Sequence, residues 1–368
     1  MKDRRLFWLA LHFLSWEESG VRSKFLRAWR LREGRTGALQ NENPFGFDAV
    51  EAWCGGAAIG RAVDRAGEEL EIIRRKAYTL LTFEDPGYPE ALKEIYDPPF
   101  VLYCAGRTEA LIQPAVAVVG SRKPTAYGRR MAEKLGDDLG SRGCVIVSGM
   151  ALGIDSCAHS GALRSGRTVA VLGSGLDVCY PRENRGLCER IAARGAVLSE
   201  FPLGTAPLSH HFPIRNRIIS GLSLALVVVE AAARSGSLIS ARFALDQGRD
   251  VLAVPGSALS ELSRGTNGLL KAGAGLVESW VEVAEALPSP WRENLLAEKE
   301  KKEENRRDSL DREESRLVDE LSPESPVHID DLAEKTGHSI ARLLALLLGL
   351  ELKGWVVQYP GKYFLRRS

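Results

Sequence analysis

The chain has 368 residues, of which 45% are apolar and 26% charged, and its formal net charge is +1. This length is long for one domain and the apolar fraction supports a sizeable core, so we expect a globular chain of two or three modules. The near-neutral total excludes a uniformly basic or acidic protein. It neither favours nor opposes a nucleic-acid partner, because local charge sets the field near a site.

The six cysteines predict neither a disulfide framework nor a metal site. They form no CxxC pair and have no histidines at zinc-ligand spacing, a pattern typical of reduced thiols in the cytosol. The apolar stretch Leu6–Leu14 lacks a following cleavage site, and no run approaches about 18 apolar residues. We therefore expect a cytoplasmic protein with no membrane span, no metal and no cofactor.

Residues 1–75 are predicted to form a helical N-terminal module. Apolar residues recur there at helical spacing, and a turn-rich cluster interrupts the pattern at residues 41–46. Short strand-like segments follow at residues 79–83 and 100–104. We expect them to pack on the next domain and therefore begin that domain at residue 76.

A doubly wound α/β domain is predicted to follow and to end near residue 287. Short, continuous apolar runs alternate there with amphipathic stretches of about 15 to 25 residues. Such runs are typical of strands buried on both faces of a parallel sheet, and each stretch between them can hold a crossover helix. The runs are residues 115–119, 145–147, 168–172, 196–198, 224–229 and 251–254.

The last part of the chain predicts a linker and a small domain. Residues 288–314 are rich in Glu, Lys and Arg, which indicates a solvated linker. Residues 315–368 predict three helices and a hairpin, and this succession indicates a winged-helix-like domain. Its third predicted helix, residues 340–353, is almost wholly apolar. A helix that reads a major groove needs polar residues outside, so a structural or protein-contacting role is favoured over reading duplex DNA.

The ends of the predicted strands carry the chemistry. Ligands of parallel α/β sheets bind at the carboxyl ends of the strands, and five strands here end in glycine or a small hydroxyl residue. Such residues let backbone N–H groups and helix N-termini approach an anion, so we expect phosphate. Arg122 adds a guanidinium that matches phosphate oxygens, although the alternative of a simple tight turn stays open. The other predicted contacts here are Gly120, Ser121, Gly149, Gly173, Ser174, Ser235, Gly236 and Ser237.

A second cluster opens a predicted helix downstream. An exposed aromatic beside two arginines and an asparagine supplies a stacking ring and phosphate donors, which fits single-stranded nucleic acid. The alternative is that Phe212 lies in the core and the arginines pair with Glu230 or Asp246. A metal site at His210 and His211 is disfavoured, because no ligand stands at suitable spacing. The predicted DNA-binding residues of this cluster are His210, Phe212, Arg215, Asn216 and Arg217.

Enzymatic alternatives have weaker support, and no catalytic residue is assigned. Ser148, Asp155 and His159 suggest a hydrolase triad, but no GxSxG elbow accompanies them. The dinucleotide fingerprint is incomplete at Gly173, and no GxxxxGK[ST] phosphate loop occurs. A nucleoside-5′-monophosphate hydrolase of the lysine-decarboxylase-like group would need PGGxGTxxE after a strand, where residues 254–258 read Val-Pro-Gly-Ser-Ala. A winged-helix transcription factor with a sensor domain is a third hypothesis.

Taken together, these motifs resemble the bacterial DNA-processing protein A family, DprA or Smf. The resemblance is dense between about residues 115 and 287 and extends to both ends of the chain. The resemblance is specific because many motifs of the family occur here in the same order along the chain. They include Gly120-Ser-Arg122, residues 148–155, residues 168–177, Tyr180-Pro181, residues 212–217, Ser235-Gly-Ser237 and Val254-Pro-Gly256.

The resemblance implies an extended Rossmann-like domain that binds single-stranded DNA and forms a homodimer. It implies further that the protein protects incoming strands during natural transformation and helps to load a RecA-type recombinase, without being an enzyme. Arg122 and Phe212 with its neighbours would contact the strand. Many members carry a lysine three residues before the phenylalanine, whereas this chain has Ser209. The N-terminal module lacks a clear helix-hairpin-helix signature, so no DNA binding is assigned to it.

Overall fold

The computed structural model describes residues 2–33, 47–297, 310–323 and 325–366. The chain divides into two compact units, Met1–Glu293 and Asn294–Ser368. Residues 298–309 of the predicted linker 288–314 lie outside the described residues.

Helices at the start of the chain share one core with the sheet that follows. The ring of Trp8 packs against Phe25, Phe83 and Phe100, with centroid distances of 5.4, 5.8 and 5.9 Å. Phe83 and Phe100 lie beside the first two strands, so a continuous apolar core joins the helices to the sheet. These helices are α1 (Lys2–Glu17), α2 (Val21–Glu33), α3 (Phe47–Cys54) and α4 (Gly56–Arg75).

A nine-stranded sheet forms the centre of the first unit, in the order β1-β2-β6-β5-β4-β3-β7-β8-β9. β2 pairs antiparallel with β1 and with β6, and the other neighbouring strands are parallel. This confirms the predicted doubly wound, mostly parallel sheet. The strands are β1 (Thr79–Thr82), β2 (Val101–Gly106), β3 (Ala115–Val119), β4 (Val145–Ser148), β5 (Thr168–Val171), β6 (Ala196–Ser199), β7 (Ala225–Val228), β8 (Asp250–Ala253) and β9 (Gly275–Leu276).

The five strands from β3 to β7 are buried along their whole length, as their continuous apolar runs predict. The order of strands along the chain reverses at β3, which lies between β4 and β7. At such a switch point the following loops diverge and leave a crevice. The helices of this region are α5 (Glu90–Lys93), α6 (Ala126–Gly140), α7 (Ile154–Ser165), α8 (Arg185–Arg194), α9 (His211–Gly221), α10 (Ser237–Asp246), α11 (Arg264–Lys271) and α12 (Trp280–Glu285).

From residue 310 onwards the described residues of the second unit form three helices and a three-stranded sheet, which confirms the predicted winged helix. A capping box of Asp311 and Glu314 begins its first helix, and Gly337 in the left-handed region (φ 70°) ends its second. The outer face of its third helix exposes leucines, in agreement with the apolar sequence. The elements are α13 (Arg312–Glu320), β10 (Val327–His328), α14 (Ile329–Thr336), α15 (Ile340–Leu352), β11 (Val356–Tyr359) and β12 (Tyr363–Arg366).

Candidate nucleic-acid interface

A pocket of about 260 Å³ occupies the crevice between the carboxyl ends of β3 and β7. The loop after β3, the first turns of α9 and the N-terminus of α10 line it. These three segments are far apart in sequence, and parallel strand pairing brings them to one edge of the sheet. Among the predicted contacts, the pocket collects Gly120, Ser121, Arg122, Phe212, Arg215, Asn216, Ser235, Gly236 and Ser237.

The loop after β3 is fixed by the buried residue Glu230. Its backbone carbonyl accepts a 2.7 Å hydrogen bond from the N–H of Ser121. Its carboxylate accepts from the N–H of Thr125 at 2.9 Å and from the Thr125 hydroxyl at 2.6 Å. A Cβ on Gly128 would lie 2.4 Å from this carboxylate, so a larger residue there would displace it. Glu230 therefore shapes the loop that carries Arg122, and it does not pair with the arginines of α9 as the alternative hypothesis supposed.

An exposed cation and two aromatic rings meet at the mouth of the pocket. The guanidinium carbon of Arg122 lies 5.3 Å from the ring centroid of the half-buried Phe212. On the same ring, Tyr180 packs with a centroid distance of 5.9 Å and is 44% exposed. The absent side chain of Gly173 makes room for Phe212, since a Cβ there would lie 2.8 Å from the ring. Phe212 is thus neither free in solvent nor part of the core.

Sequence reasoning did not single out Tyr180 as a contact. It appeared only within a motif, after the glycine-rich loop that follows β5. An aromatic residue beside a strand-end loop that faces Phe212 could have been proposed from the loop pattern. Its distance from Phe212 along the chain concealed the pairing.

Arg215 forms part of the pocket floor and is only 5% exposed. Its Nη1 donates to the carbonyl of Val171, and its Nε donates to Asn216 Oδ1 at 3.1 Å. Burial lowers the pKa of Arg215 to about 10, so it stays protonated at neutral pH. The prediction that Arg215 is an exposed phosphate donor is therefore wrong about its exposure, because the guanidinium is buried and reaches the pocket from below.

Asp155 lies beside Arg215, and the missing side chain of Gly149 allows the approach. A Cβ on Gly149 would lie 2.5 Å from Asp155 Oδ2 and 2.8 Å from Arg215 Nη1. Burial raises the pKa of Asp155 to about 6, although the Arg215 guanidinium acts in the opposite direction. Because this pKa is still below 7, most of Asp155 is ionised at neutral pH and offsets much of the charge of Arg215. Gly149 supports the pocket floor and does not itself line the pocket.

Arg217 is held away from the pocket in a buried ion-pair network. Its Nη2 donates to both carboxylate oxygens of Glu200, at 2.7 and 2.8 Å, and its Nε donates to Asp97 at 3.0 Å. Burial by itself raises the pKa of Glu200, but the guanidiniums of Arg217 and Arg22 hold this pKa at about 2. The expectation that Arg217 is an exposed donor beside Phe212 is corrected, since its charge is neutralised inside the protein.

Two other predicted contacts also lie outside the pocket lining. Ser174 is buried, and its hydroxyl donates to the carbonyl of Val178 at 2.7 Å. This corrects the expectation of an accessible hydroxyl after β5. His210 is exposed at the start of α9, where its ring contacts His211 at a centroid distance of 4.4 Å.

Ser148 and His159 of the suggested triad form hydrogen bonds with groups outside the triad. Ser148 Oγ donates to the carbonyl of Val118 at 2.6 Å, while the ring nitrogens of His159 contact Thr168 Oγ1 and the carbonyl of Gly149, each at 2.6 Å. Burial lowers the pKa of His159 to about 4, so the ring is neutral. The described residues contain no cluster of three or more His, Cys, Asp or Glu side chains placed to hold a metal ion.

None of the helices in the described ranges combines the length and the apolar character that a bilayer span requires.

Two family models match the chain. The model for DNA recombination-mediator protein A matches residues 79–288, and the model for the DprA winged helix domain matches residues 301–362. Among curated relatives, protein Smf of Synechocystis is 38% identical over 328 residues, which is 81% of this chain and 82% of that protein. DNA processing protein DprA of Streptococcus pneumoniae is 46% identical over 222 residues, which is 60% of this chain and 77% of that protein.

Solved structures of this family match the fold. The X-ray structure of DprA from Streptococcus pneumoniae gives a TM-score of 0.62 at 35% identity, covering 78% of this chain and 96% of that one. A structure of DNA processing protein A from Helicobacter pylori, described for its single-stranded DNA binding mode, gives 0.51 at 35% identity, covering 55% and 91%. With more than half of its length matched by the family model and relatives that match over four fifths of it, the chain belongs to the DNA recombination-mediator protein A (DprA/Smf) family.

Proposed function

We propose that this protein binds single-stranded DNA in the pocket between β3 and β7 and acts there without bond chemistry. As a recombination mediator, it protects incoming strands during natural transformation and helps to load a RecA-type recombinase. It works in the cytoplasm and as a homodimer. The observation that carries the proposal is the contact between exposed Arg122 and the half-buried ring of Phe212 at the pocket mouth.

The phosphate part of the proposal rests on three kinds of donor. Arg122 is exposed, so its guanidinium can form bidentate hydrogen bonds to a phosphate. The N-terminus of α10 faces the pocket with Ser235, Gly236 and Ser237, and the positive end of the helix dipole there favours an anion. The space beside Gly236 is open, so a phosphate can approach the backbone closely. Arg215 lies below, so the pocket lining holds two arginines, Arg122 and Arg215, against one carboxylate, Asp155.

The base part of the proposal rests on Phe212 and Tyr180. Aromatic rings at the mouth of a basic pocket stack on unpaired bases, and this stacking tolerates any sequence because every base has a π-face. A base pair inside a duplex does not present that face. The pocket therefore favours single strands over duplex DNA.

Two further observations support the wider role. The relative from Helicobacter pylori has been described as binding single-stranded DNA. Family membership supports mediation of recombination, and the roles in recombinase loading, strand protection and dimer formation rest on that membership alone. The enzymatic alternative has no corresponding support, since the hallmark PGGxGTxxE does not follow β8.

The test is a fluorescence anisotropy titration of the full chain with labelled single-stranded and duplex DNA of equal length. We expect tighter binding of the single strand, and we expect Arg122→Ala and Phe212→Ala each to weaken it. Arg130→Ala, which removes another exposed arginine of the same domain, is the matched control. Equal binding by wild type and both pocket variants would exclude this site. Release of free base from nucleoside monophosphates would instead favour the hydrolase.

A further inference from the structure

A second basic surface lies on α2, outside the pocket at the sheet edge. The helix carries five basic residues and one acidic residue along thirteen positions. Phe25 and Leu26 are buried against the core, which turns Lys24 and Arg27 towards solvent. Neither Lys24 nor Arg27 forms an ion pair with any residue that the structure describes. Within the described part of the chain, the outer face of α2 is therefore basic and has no acidic partner for these two side chains.

An exposed aromatic ring stands next to this face. A pocket of about 600 Å³ lies between α2 and residues 96–97, and its concave surface is lined by Arg22, Arg27 and Arg30 with Tyr96. The ring of Tyr96 is 86% exposed, and the guanidinium carbon of Arg30 lies 5.7 Å from its centroid. Arg30 also donates to the carbonyl of Tyr96 at 2.8 Å. Cation and ring are therefore held as a pair.

The charges around the concave surface do not cancel. Arg22 Nε lies 2.5 Å from Asp97 and its Nη2 lies 2.7 Å from Glu200, while Arg217 contacts the same two carboxylates. These two arginines and two carboxylates neutralise one another. Arg27 and Arg30 form no ion pair among the described residues, and Lys24 lies next to them on the helix.

We propose that Lys24, Arg27, Arg30 and Tyr96, here called the α2 surface, form a second contact for single-stranded DNA. Exposed cations bind phosphates, and an exposed ring held by arginine stacks on an unpaired base. A duplex has no free base face for Tyr96. The inference rests on the proposed function, because it concerns the part of a long strand that extends beyond the pocket between β3 and β7.

Both surfaces are anchored to the same buried network. Asp97 follows Tyr96 directly and bridges Arg22 of α2 to Arg217 of α9. Phe212 and Arg215 of α9 line the first pocket. The ion-pair network thus links the α2 surface to the helix that also carries Phe212 and Arg215.

The test compares a short oligothymidylate of about 6 nucleotides, sized for a single site, with a long one of about 35. The variants are Lys24→Glu with Arg27→Glu, and separately Tyr96→Ala. The matched control is Arg61→Glu with Arg75→Glu, which changes the charge equally at two exposed positions of α4. All proteins are the full chain, and thermal unfolding verifies that each is folded.

We expect the α2 variants to bind the short strand as the wild type does and to bind the long strand more weakly. The double charge reversal should lower the salt slope for the long strand by about 1.4, if two phosphate contacts are lost. Tyr96→Ala should weaken binding of the long strand about fivefold, whereas Tyr96→Phe should bind it with wild-type affinity. The α4 control should change neither strand in this way.

Wild-type affinity of the α2 variants for the long strand would overturn the inference. The inference would also be overturned if the α2 variants lost affinity equally for both strands, or if they lost more affinity for duplex than for single strands. An equal loss of affinity in the α4 control would overturn it as well. Arg122→Ala separates this failure from a failure of the proposed function. If that variant still weakens the binding of both strands, the first pocket is supported without the second contact. If it changes the binding of neither strand, the first pocket is excluded.

Discussion

Arg215 and Arg217 stand two positions apart in one motif on α9, but their surroundings differ. Arg217 forms three hydrogen bonds to carboxylates, and two buried or partly buried acids neutralise it. Arg215 lies at the base of an open pocket, where Asp155 attracts it and Arg122 repels it. Residues two apart on a helix do not share a face, so one arginine supports the fold while the other adds charge to the site.

The largest expected effect tests the structural half of this comparison. Arg217→Met removes the partner of Glu200 and leaves a buried carboxylate with only Arg22, so the free energy of unfolding should fall by about 3 kcal/mol. Urea unfolding measures this loss. If Arg217→Met keeps its stability but loses affinity for single-stranded DNA, the two arginines do not divide their roles in this way.

Acid provides a second test of the same network. The pKa of Glu200 in the folded protein is about 2, below its ordinary value. A carboxyl whose pKa is lowered by folding stabilises the folded protein at pH values above its unfolded pKa of about 4.3. This stabilisation is lost as the pH falls towards 2. Urea unfolding between pH 5 and pH 3 should therefore show a steeper loss for wild type than for Glu200→Gln. Parallel curves for the two proteins would contradict this role.

Substitutions of Phe212 test the part of the comparison that concerns DNA binding. Phe212→Ala should weaken single-stranded DNA binding by about 1 to 3 kcal/mol if a base stacks on the ring. Because the ring is only half-buried, the unfolding midpoint should change far less than in Arg217→Met. Phe212→Tyr serves as the control that retains a stacking face. A large loss of stability together with unchanged affinity would make Phe212 a packing residue.

The smallest expected effect concerns Arg122. Arg122→Ala should weaken binding equally for all sequences and lower the salt slope for single strands by about 0.7, the share of one neutralised phosphate. Titrations at several salt concentrations measure this slope. Arg122→Lys should restore part of the affinity, because it keeps the charge but loses the bidentate geometry. An unchanged slope would remove Arg122 from the phosphate site.

Much of the fold could be predicted from local pattern. The six continuous apolar runs of the predicted sheet correspond to strands β3 to β8, because a strand buried on both faces needs apolar residues at successive positions. The winged helix was equally visible in its helix signals and hairpin. The pocket loops could be predicted because parallel strands must place their carboxyl ends at one edge.

The partners of individual charged residues could not be predicted in this way. Arg217 meets Glu200 and Asp97, and Asp97 lies 120 positions away from it. Glu230 was considered as a partner for the arginines, but it holds the loop of Arg122 instead. Ser174 looked accessible in a glycine-rich loop but is buried. Short-range spacing carries no information about such long-range contacts.

The sequence by itself determined the sheet, the winged helix and the edge at which the glycine-rich loops gather, since these follow from hydrophobic periodicity and strand direction. Only the tertiary structure decided that Arg122, Phe212 and Tyr180 meet at one pocket mouth and that Arg217 is withdrawn from it. It also decided that α2 presents its cations beside Tyr96. The physical reason is that a side chain's charge and exposure depend on neighbours from distant segments, and packing alone selects those neighbours.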